Sequence, residues 1–358
     1  MKKSLVVILL LCSALLEAQK NEQPVKVALL LPFQTETVQR DKNIDRFLDF
    51  YTGALLAVYE EQRHKPVEVY AYDVGKSASH QLQAVLARQE LISMDMIIGP
   101  VYAAQVSRMS DWALQYGVRT ILPFSSDVPR LKENPYVLQF NPSVEIEGAA
   151  TAQYLLRQEE PVRCIFVEED EKHIPESVRS LQQAIVAQGI EHAYTTVGQI
   201  LHDSLSYSLS EEKNNILLMN TERYANVRVV MPQLMRAAQG KRLTLLSRYA
   251  WQQEPITLPQ IFSTIFRKEV DVDSIPYGTE YRRFVAKERE TGQPCYDLLG
   301  YDLMRYALRT IRGIKQATTF DEIDDIICRT FKGVQSDISF VRVGDGGYQN
   351  NNIHVVQY

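Results

Sequence analysis

The sequence contains few cysteine, histidine and tryptophan residues, and these shortages exclude several kinds of site. Its 358 residues include four cysteines, six histidines and two tryptophans. Four cysteines are too few for a disulfide scaffold, and none forms a CxxC pair that would indicate a zinc site or thiol exchange. No two histidines have the spacing of a metal-ligating pair. We therefore do not expect cysteine chemistry to define the function.

The sequence also contains fewer positively charged than negatively charged residues. Lys and Arg number 39 against 44 Asp and Glu, which gives a net charge of −5, and no basic cluster is dense enough to follow a phosphate backbone. We therefore expect no nucleic-acid partner. The charged fraction of 23% and the hydrophobic fraction of 45% are typical of globular proteins, and the length leaves room for two medium-sized domains.

The signatures of common enzyme classes are missing. The sequence has no HExxH, GxSxG, P-loop or GxGxxG motif, which argues against a zinc protease, a hydrolase, an NTPase and a dinucleotide enzyme. The acidic residues 168–171 with His173 offer carboxylates to a cation, but a charged run after a strand is typical of a solvated loop. We predict a non-enzymatic protein with no catalytic residue, no metal and no cofactor.

The N-terminus has the layout of a secretory signal. Two lysines precede an apolar run over residues 5–11, and Ala18 is the small residue before the expected cleavage point. The run is shorter than the roughly 20 residues of a membrane-spanning helix. We predict that residues 1–18 are a cleaved signal peptide and that the protein is periplasmic or otherwise exported. Lipid attachment at Cys12 is the alternative, although Leu11 stands where a lipoprotein signal needs a small residue.

The rest of the sequence alternates between short apolar runs and segments with helical spacing. In the first half, strands are predicted from Lys26, Val67, Met96 and Val118, and helices over 45–62, 77–93 and 103–116. Almost continuously apolar strands are typical of a parallel sheet that is covered on both faces. The βαβ order therefore predicts a right-handed, parallel α/β sheet.

A second α/β series follows, and then a different region. Strands are predicted at 162–169, 214–220 and 242–247, and helices at 145–157, 174–188, 222–238, 277–291 and 297–315. The tail predicts a hairpin in which 339–343 and 353–358 are strands joined by the Gly- and Asn-rich stretch 344–352. We predict one lobe from 24–140 plus part of 295–358, and another from 141–294 plus part of 320–358.

Several phrases occur in the order found in a known family. They are KVALLLPF from Lys26, FYTGALLAV at 50–58, IIGPVYAAQV at 97–106, ILPFSSDVP at 121–129, VLQFNPS at 137–143, LLGYDLMRYAL at 298–308 and FKGVQSDISFVRVGDGG at 331–347. This ordered series resembles the type 1 periplasmic binding proteins, the leucine/isoleucine/valine-binding group in particular, of which the chain would be a divergent member. The resemblance implies two Rossmann-like lobes joined by multiple crossovers, in the Venus-flytrap arrangement that closes on a ligand.

Ligands of open α/β sheets bind beyond the carboxyl ends of the strands, and the strand-end loops here carry several aromatic side chains. The candidate ligand-binding residues are Phe33, Arg46, Tyr102, Ala103, Phe124, Ser125, Ser126, Glu169, Thr221, Tyr249 and Trp251. Aromatic faces suit sugar rings or apolar ligands. Arg46 suits an anion, with a solvated surface arginine as the alternative.

Two of these positions depart from the resembled family. Ala103 and its neighbour stand where the family holds the ligand carboxylate with a hydroxyl, and Tyr249 stands near the family's acidic partner for the ligand ammonium. The predicted function is an exported solute-binding protein that closes over an amino acid, a sugar or a cell-wall fragment, with a permease of an ABC transporter as partner. The alternative is an envelope interaction module that binds a protein, as activators of cell-wall synthases do.

Overall fold

A computed structural model describes residues 23–35, 44–63, 65–76, 80–168, 174–248, 251, 254–266, 275–285 and 295–358. The described chain forms two compact units. The first contains residues 23–141 and 275–350, and the second contains residues 142–266 and 351–358. The predicted signal peptide lies outside the described residues.

The first unit is a seven-stranded sheet with helices packed against it. Its strands are β1 (Val25–Leu31), β2 (Val67–Asp73), β3 (Met96–Ile98), β4 (Thr120–Leu122), β5 (Val137–Gln139), β11 (Phe340–Arg342) and β12 (Tyr348–Asn350). Its helices are α1 (Ile44–Gln62), α2 (His80–Leu86), α3 (Gln89–Ile92), α4 (Ala103–Tyr116), α9 (Pro276–Val285), α10 (Tyr296–Ile314) and α11 (Phe320–Cys328). A short 3₁₀ helix covers Leu131–Glu133.

The strand order in this sheet is β11-β12-β5-β4-β3-β1-β2. All neighbouring strands from β12 to β2 are parallel, and only the edge strand β11 runs antiparallel to its partner. Residues 27–31 of β1 are fully buried, as expected of a strand that is covered on both faces. The carboxyl ends of β1 to β5 therefore lie at the same edge of the sheet.

The second unit is a six-stranded sheet of the same kind. Its strands are β6 (Val162–Glu168), β7 (His192–Thr196), β8 (Asn214–Met219), β9 (Leu243–Leu246), β10 (Gln260–Thr264) and β13 (His354–Gln357). Its helices are α5 (Val144–Leu156), α6 (Glu176–Ala187), α7 (Val197–Leu201) and α8 (Tyr224–Ala237), with a 3₁₀ helix at Leu205–Ser208. The order is β13-β10-β9-β8-β6-β7, in which only β13 is antiparallel. The predicted α/β class with two Rossmann-like sheets is confirmed.

The tail differs from the predicted hairpin. The antiparallel partner of β11 is β12, with Phe340 opposite Asn350, so the turn is confined to the glycine-rich residues 343–347. The last strand, β13, does not return to β11 but pairs with β10 of the second sheet, with Phe262 opposite Val356. The alternating pattern marked β11 and β13 correctly but missed β12, and the pairing depended on long-range contacts that no local pattern shows.

Two predicted helices differ from those in the structure. The segment 77–93, predicted as one helix, contains the two short helices α2 and α3 within its described part. The predicted second lobe, 141–294, includes the residues of α9. In the structure α9 belongs to the first unit. Its Tyr277 hydroxyl donates to the Asp297 carboxylate at 2.9 Å. From the sequence, no strand was predicted at β5, β7 or β10 and no helix at α7 or α11. Among the described helices, none is long and apolar enough to cross a lipid bilayer.

The three cysteines within the described residues, Cys164, Cys295 and Cys328, are not joined by a disulfide. Cys164 is buried in a core cluster of the second unit, and this burial raises the pKa of its thiol to about 12. A thiol that stays protonated behaves as a small apolar side chain.

Candidate functional site

A pocket lies at the strand-end edge of the first unit. Its volume is about 390 Å³, within the roughly 300–1,000 Å³ range of small-molecule sites. The described lining consists of Arg46, Phe47, Lys76, Val101, Tyr102, Phe124 and Tyr296. Four of these side chains are aromatic, two are cationic and none is acidic, which gives the pocket apolar walls and a positive charge.

The aromatic side chains form one connected cluster. The Phe47 ring lies 5.7 Å from the Tyr102 ring and 5.8 Å from the Phe124 ring, both in edge-to-face geometry. Phe124 also lies 6.0 Å from Tyr296. Phe47 is buried, whereas the other three rings are half-exposed. Buried Phe47 therefore supports the Tyr102 and Phe124 rings, and Phe124 in turn contacts Tyr296.

The cationic side chains enter from two different elements. The guanidinium carbon of Arg46, in the first turn of α1, lies 5.6 Å from the Phe47 ring centre and 5.8 Å from the Tyr296 ring centre. Both distances are within the cation–π range. Lys76 follows β2 and is exposed. The two charges therefore belong to one helix start and one strand-end loop.

Two buried or half-buried polar side chains fix the loop that carries Lys76. The Asp73 carboxylate accepts hydrogen bonds from the Thr35 amide at 2.7 Å, from the Thr35 hydroxyl at 2.8 Å and from the Gly75 amide at 3.1 Å. Burial opposes ionisation of Asp73, but these hydrogen bonds outweigh it and lower the pKa of the carboxyl. Fully buried Gln105 donates to the Val74 carbonyl at 2.8 Å. The loop is therefore tied to the segment that follows β1 and to α4.

A reciprocal glycine contact brings Tyr296 to the pocket. A Cβ at Gly53 of α1 would lie 1.7 Å from the Asp297 carbonyl oxygen, and a Cβ at Gly300 of α10 would lie 1.9 Å from the Phe50 carbonyl oxygen. Only glycine allows two helix backbones to approach this closely. Because the two helices touch here, Tyr296 at the start of α10 reaches the first turn of α1.

A third glycine shapes the loop between β3 and α4. Gly99 has a φ of +111°, and a Cβ there would lie 2.2 Å from the Leu30 carbonyl oxygen of the neighbouring strand. Glycine tolerates both the positive φ and the close approach. Two residues later the chain presents Val101 and Tyr102, and Tyr102 takes the extended N-cap conformation before α4.

The first-unit predictions divide into two groups. Arg46, Tyr102 and Phe124 line the pocket. Phe33, Ala103, Ser125 and Ser126 lie on the predicted strand-end loops or next to them, but they are outside the described lining. The half-buried Phe33 ring packs edge-to-face on Tyr51 at 5.2 Å, Ser125 is buried, and the Ser126 carbonyl accepts from Gln139 at 2.9 Å.

Sequence reasoning missed Phe47, Lys76, Val101 and Tyr296. Lys76 could have been found, because it follows the carboxyl end of a predicted strand. Tyr296 is separated from the other lining residues by more than 170 positions, and only the glycine contact of α1 with α10 brings it near them. Phe47 belongs to the apolar stripe of α1. The sequence does not distinguish a pocket-lining residue in such a stripe from a core residue.

The second-unit predictions have structural roles. The Thr221 hydroxyl accepts from the Arg223 amide and from the Asn226 side chain, both at 3.1 Å, so it organises the start of α8. Trp251 is 2% exposed within a hydrophobic core cluster, and its indole N–H donates to the Glu222 carbonyl at 3.0 Å. Glu169 and Tyr249 lie outside the described residues.

Other polar groups are buried at the strand ends of the second unit. Within the described residues, Asn220 Oδ1, Ser247 Oγ and Arg248 Nη2 are sealed from solvent and have no hydrogen-bond partner. Burial lowers the pKa of Arg248, and the charges of Glu147 and Glu222 act in the opposite direction. None of these three residues is among the candidate ligand-binding residues.

The part of the chain that the structure describes contains no group of three or more His, Cys, Asp or Glu side chains placed to hold a metal ion. Most of the acidic run that we considered as cation ligands, residues 169–171 with His173, falls outside that part.

Solved structures share this architecture at low sequence identity. A substrate-binding protein of an ABC transporter from Desulfitobacterium hafniense, in complex with leucine, is 14% identical over 94% of this chain and 98% of its own, with a TM-score of 0.63. A branched-chain amino acid ABC transporter protein from Rhodospirillum rubrum is 12% identical over 93% and 97%, with a TM-score of 0.67. An isoleucine-bound counterpart from Streptococcus pneumoniae is 13% identical over 94% and 100%, with a TM-score of 0.51.

The chain has the fold of the type 1 periplasmic binding proteins. The resemblance predicted from the ordered sequence phrases is thereby confirmed for the fold. No protein-family model matches the sequence, and no curated protein matches it. Identities of 12–14% do not carry ligand contacts from one chain to another, so the ligand depends on the residues of this protein's own pocket.

Proposed function

We propose that this protein is a solute-binding protein that holds a small molecule in the strand-end pocket of its first unit, without chemical conversion of that molecule. The single observation that carries the proposal is the pocket itself, in which half-exposed aromatic rings and two cations converge from two helices and three strand-end loops. It lies at the edge where α/β sheets bind ligands. The fold supports the proposal, because its structural neighbours are substrate-binding proteins.

The contacts that hold the pocket's side chains in place fit a binding role. The lining side chains rest on buried Phe47, on the glycine contact of α1 with α10 and on the loop held by Asp73. A site whose residues are held before the ligand arrives loses less conformational entropy on binding.

The direct test is a thermal-shift and calorimetric screen of the whole mature protein against amino acids, sugars, nucleosides, carboxylates and cell-wall fragments. A ligand that binds only the folded state raises the melting temperature by mass action. We expect at least one class to do so, and we expect Tyr102→Ala and Phe124→Ala to weaken it. The exposed Tyr207→Ala in the second unit is the matched control. A screen at about 1 mM in which no compound shifts the wild-type melting temperature would contradict the proposal.

The proposal also includes export of the protein and delivery of its ligand to a membrane transporter. Residues 1–18 are proposed to be removed as a signal peptide, and a membrane permease is proposed to receive the loaded protein. Support for both comes from the N-terminal sequence pattern and from neighbours that belong to ABC transporters. Mass spectrometry of the protein recovered outside the cytoplasm should show an N-terminus at Gln19. Recovery of the full-length chain from the cytoplasm alone would contradict export.

A further inference from the structure

We infer that a small pocket between α10 and α11 of the first unit binds a tetrahedral oxyanion, either inorganic phosphate or sulfate or the phosphate monoester of a larger molecule. The volume of this pocket is about 160 Å³, below the roughly 300 Å³ at which sites for larger small molecules begin. The described lining consists of Tyr306, Arg309, Thr310, Gly313, Ile326 and Arg329. None of these residues lines the strand-end pocket, so the inference does not depend on the proposed solute-binding role.

Two arginines without an acidic partner line this pocket. Arg309 belongs to α10 and Arg329 directly follows α11, and both side chains are exposed. Neither guanidinium lies within 4.0 Å of a carboxylate oxygen of a described residue. The structure describes every residue from 295 to 358, so the chain on both sides of each lining residue is included in this statement.

The acidic residues that are nearest along the chain do not pair with these arginines. Asp302 is fully buried, and its carboxylate accepts the three backbone amides of residues 334–336 at 2.6, 2.7 and 3.0 Å. The Asp324 carboxylate accepts from Arg342 at 2.6 Å. Asp325 is exposed and forms no ion pair with a described residue. The positive charge in the pocket is therefore not neutralised by a protein carboxylate in contact with it.

The carboxyl ends of the two helices compensate this charge only in part. Helix α10 ends at Ile314 and α11 ends at Cys328, and the end of a helix carries roughly half a negative charge. Two helix ends therefore supply about one negative charge against the two positive charges of Arg309 and Arg329. The remaining charge attracts an anion.

A third arginine lies close to the pocket. The guanidinium carbons of Arg305 and Arg309 are 5.8 and 5.9 Å from the centre of the buried Phe331 ring, and like charges four residues apart on a helix repel each other. Burial raises the pKa of Asp302 to about 6, and hydrogen bonds from residues 334–336 and the charge of Arg305 act in the opposite direction. Arg305 is therefore partly compensated by Asp302, whereas Arg309 faces the pocket without such a partner.

Neutral contacts hold the pocket in shape. The hydroxyl of fully buried Tyr306 donates to the Ile327 carbonyl at 2.9 Å, which fixes the end of α11 on α10. A Cβ at Gly313 would lie 2.9 Å from Ile326 Cγ2, so the missing side chain lets the two helices pack closely. Thr310 is 2% exposed and contributes a hydroxyl group to the lining. Because these groups are in place before an anion arrives, binding costs little conformational entropy.

The arrangement of the donors favours a tetrahedral anion over a carboxylate. A guanidinium binds an oxyanion through two parallel hydrogen bonds. The two oxygens of a carboxylate lie in one plane, which a single guanidinium can occupy. A phosphate monoester presents three acceptor oxygens around one centre, so it can be bound at the same time by Arg309 and Arg329, which come from different elements.

The test is isothermal titration calorimetry of the protein with phosphate, sulfate and acetate. The ionic strength is kept constant, because salt screens the attraction between exposed charges. We expect phosphate or sulfate to bind with a dissociation constant of about 1 mM or lower and acetate to bind about tenfold or more weakly.

Charge variants locate the bound anion. Arg309→Gln and Arg329→Gln should each weaken phosphate binding about tenfold, and circular dichroism establishes that each variant folds. Arg309→Lys keeps the charge but loses the planar group, so we expect it to weaken binding less than Arg309→Gln does. Arg130→Gln is the matched control, because Arg130 is an exposed arginine of the same unit that pairs with Glu133 at 2.8 Å.

A vesicle arm distinguishes a free anion from a lipid headgroup. Flotation compares phosphatidylcholine vesicles that contain phosphatidic acid, a phosphate monoester, with vesicles that contain phosphatidylglycerol. Binding to the phosphatidic acid vesicles that is weakened by Arg329→Gln and by free phosphate supports the inference with a lipid as the source. Calorimetric binding of phosphate without vesicle binding supports it with a free anion as the source.

Three results would overturn the inference. They are no heat of binding with phosphate or sulfate up to about 10 mM, acetate binding as tight as phosphate binding, and equal phosphate affinities for the wild type and both glutamine variants. Each of them leaves the proposed solute-binding role intact, because that role depends on the strand-end pocket and is tested by its own screen.

Discussion

The two units share one architecture but use their strand ends differently. In the first unit, half-exposed aromatic rings and two cations line a pocket at that edge. In the second unit, the described strand-end side chains Thr221 and Trp251 are engaged in helix capping and core packing. The same topology therefore predicts where ligand groups can lie, while burial and local hydrogen bonding decide which strand-end residues remain available.

The largest expected effect tests whether Trp251 belongs to the core. Trp251→Ala removes a ring from the core of the second unit and should lower the free energy of unfolding by about 3–4 kcal/mol. Urea unfolding followed by circular dichroism measures this loss. The only other tryptophan, Trp112, lies in the first unit, so its fluorescence in the variant reports on that unit separately.

Phe124→Ala is the matched variant in the first unit. Its ring is half-exposed, so we expect a smaller loss of about 1–2 kcal/mol together with weaker ligand binding. If Trp251→Ala instead preserved stability and abolished ligand binding, Trp251 would be a ligand-binding residue and not part of the core of the second unit.

The second prediction concerns the glycine contact that places Tyr296. Gly53→Ala puts a methyl group into the backbone of α10, so the helices have to separate; we expect a loss of about 2–3 kcal/mol and weaker ligand binding. Gly198→Ala in α7 is the control, since the nearest atom to its Cβ would be the Thr196 hydroxyl oxygen at 3.8 Å. That change should be neutral or should stabilise by up to about 1 kcal/mol. Equal melting temperatures for wild type and Gly53→Ala would show that the contact does not hold the helices together.

The third prediction concerns the loop that carries Lys76. Asp73→Asn weakens the hydrogen bonds from Thr35 and Gly75, and we expect a loss of about 1 kcal/mol near pH 7. Hydrogen bonding lowers the pKa of Asp73 in the folded state, so its stabilising contribution is present above the unfolded pKa of about 3.9 and disappears as the pH falls through the folded value.

Urea unfolding of wild type and Asp73→Asn from pH 7 to pH 3 measures this contribution. The difference between the two proteins should shrink toward zero at the acidic end. Asp111→Asn, a change of an exposed carboxylate in the same unit, should show no such trend. A difference that stayed constant or grew on acidification would contradict the role given to Asp73.

The sequence predicted most of the fold because the relevant signals are local. Continuous apolar runs marked the parallel strands, and helical spacing marked α1 and α4 almost to the residue. The pairing of β13 with β10 could not be predicted, because strand partners far apart in sequence are chosen by the packed core. The strand β12, which lies between β11 and β5, was hidden for the same reason inside a stretch that looked like a turn.

The site was predicted only in part, for a related reason. Tyr102 and Phe124 follow strands, so the strand-end rule found them. Tyr296 begins a helix and reaches the pocket only because Gly53 and Gly300 permit close contact of two helices, and the sequence does not show which glycines meet. Trp251 follows a strand as well, but its burial depends on the surrounding side chains.

The measurement that tests the central claim most directly is hydrogen–deuterium exchange of the protein with and without a saturating concentration of a compound that raises its melting temperature in the thermal-shift screen. Binding in the first-unit pocket should slow exchange at the start of α1, in the loop containing Val101 and Tyr102, around Phe124 and at the start of α10. A ligand-induced change that spared all four segments, or no change at all, would contradict the claim that this pocket is where the protein binds its solute.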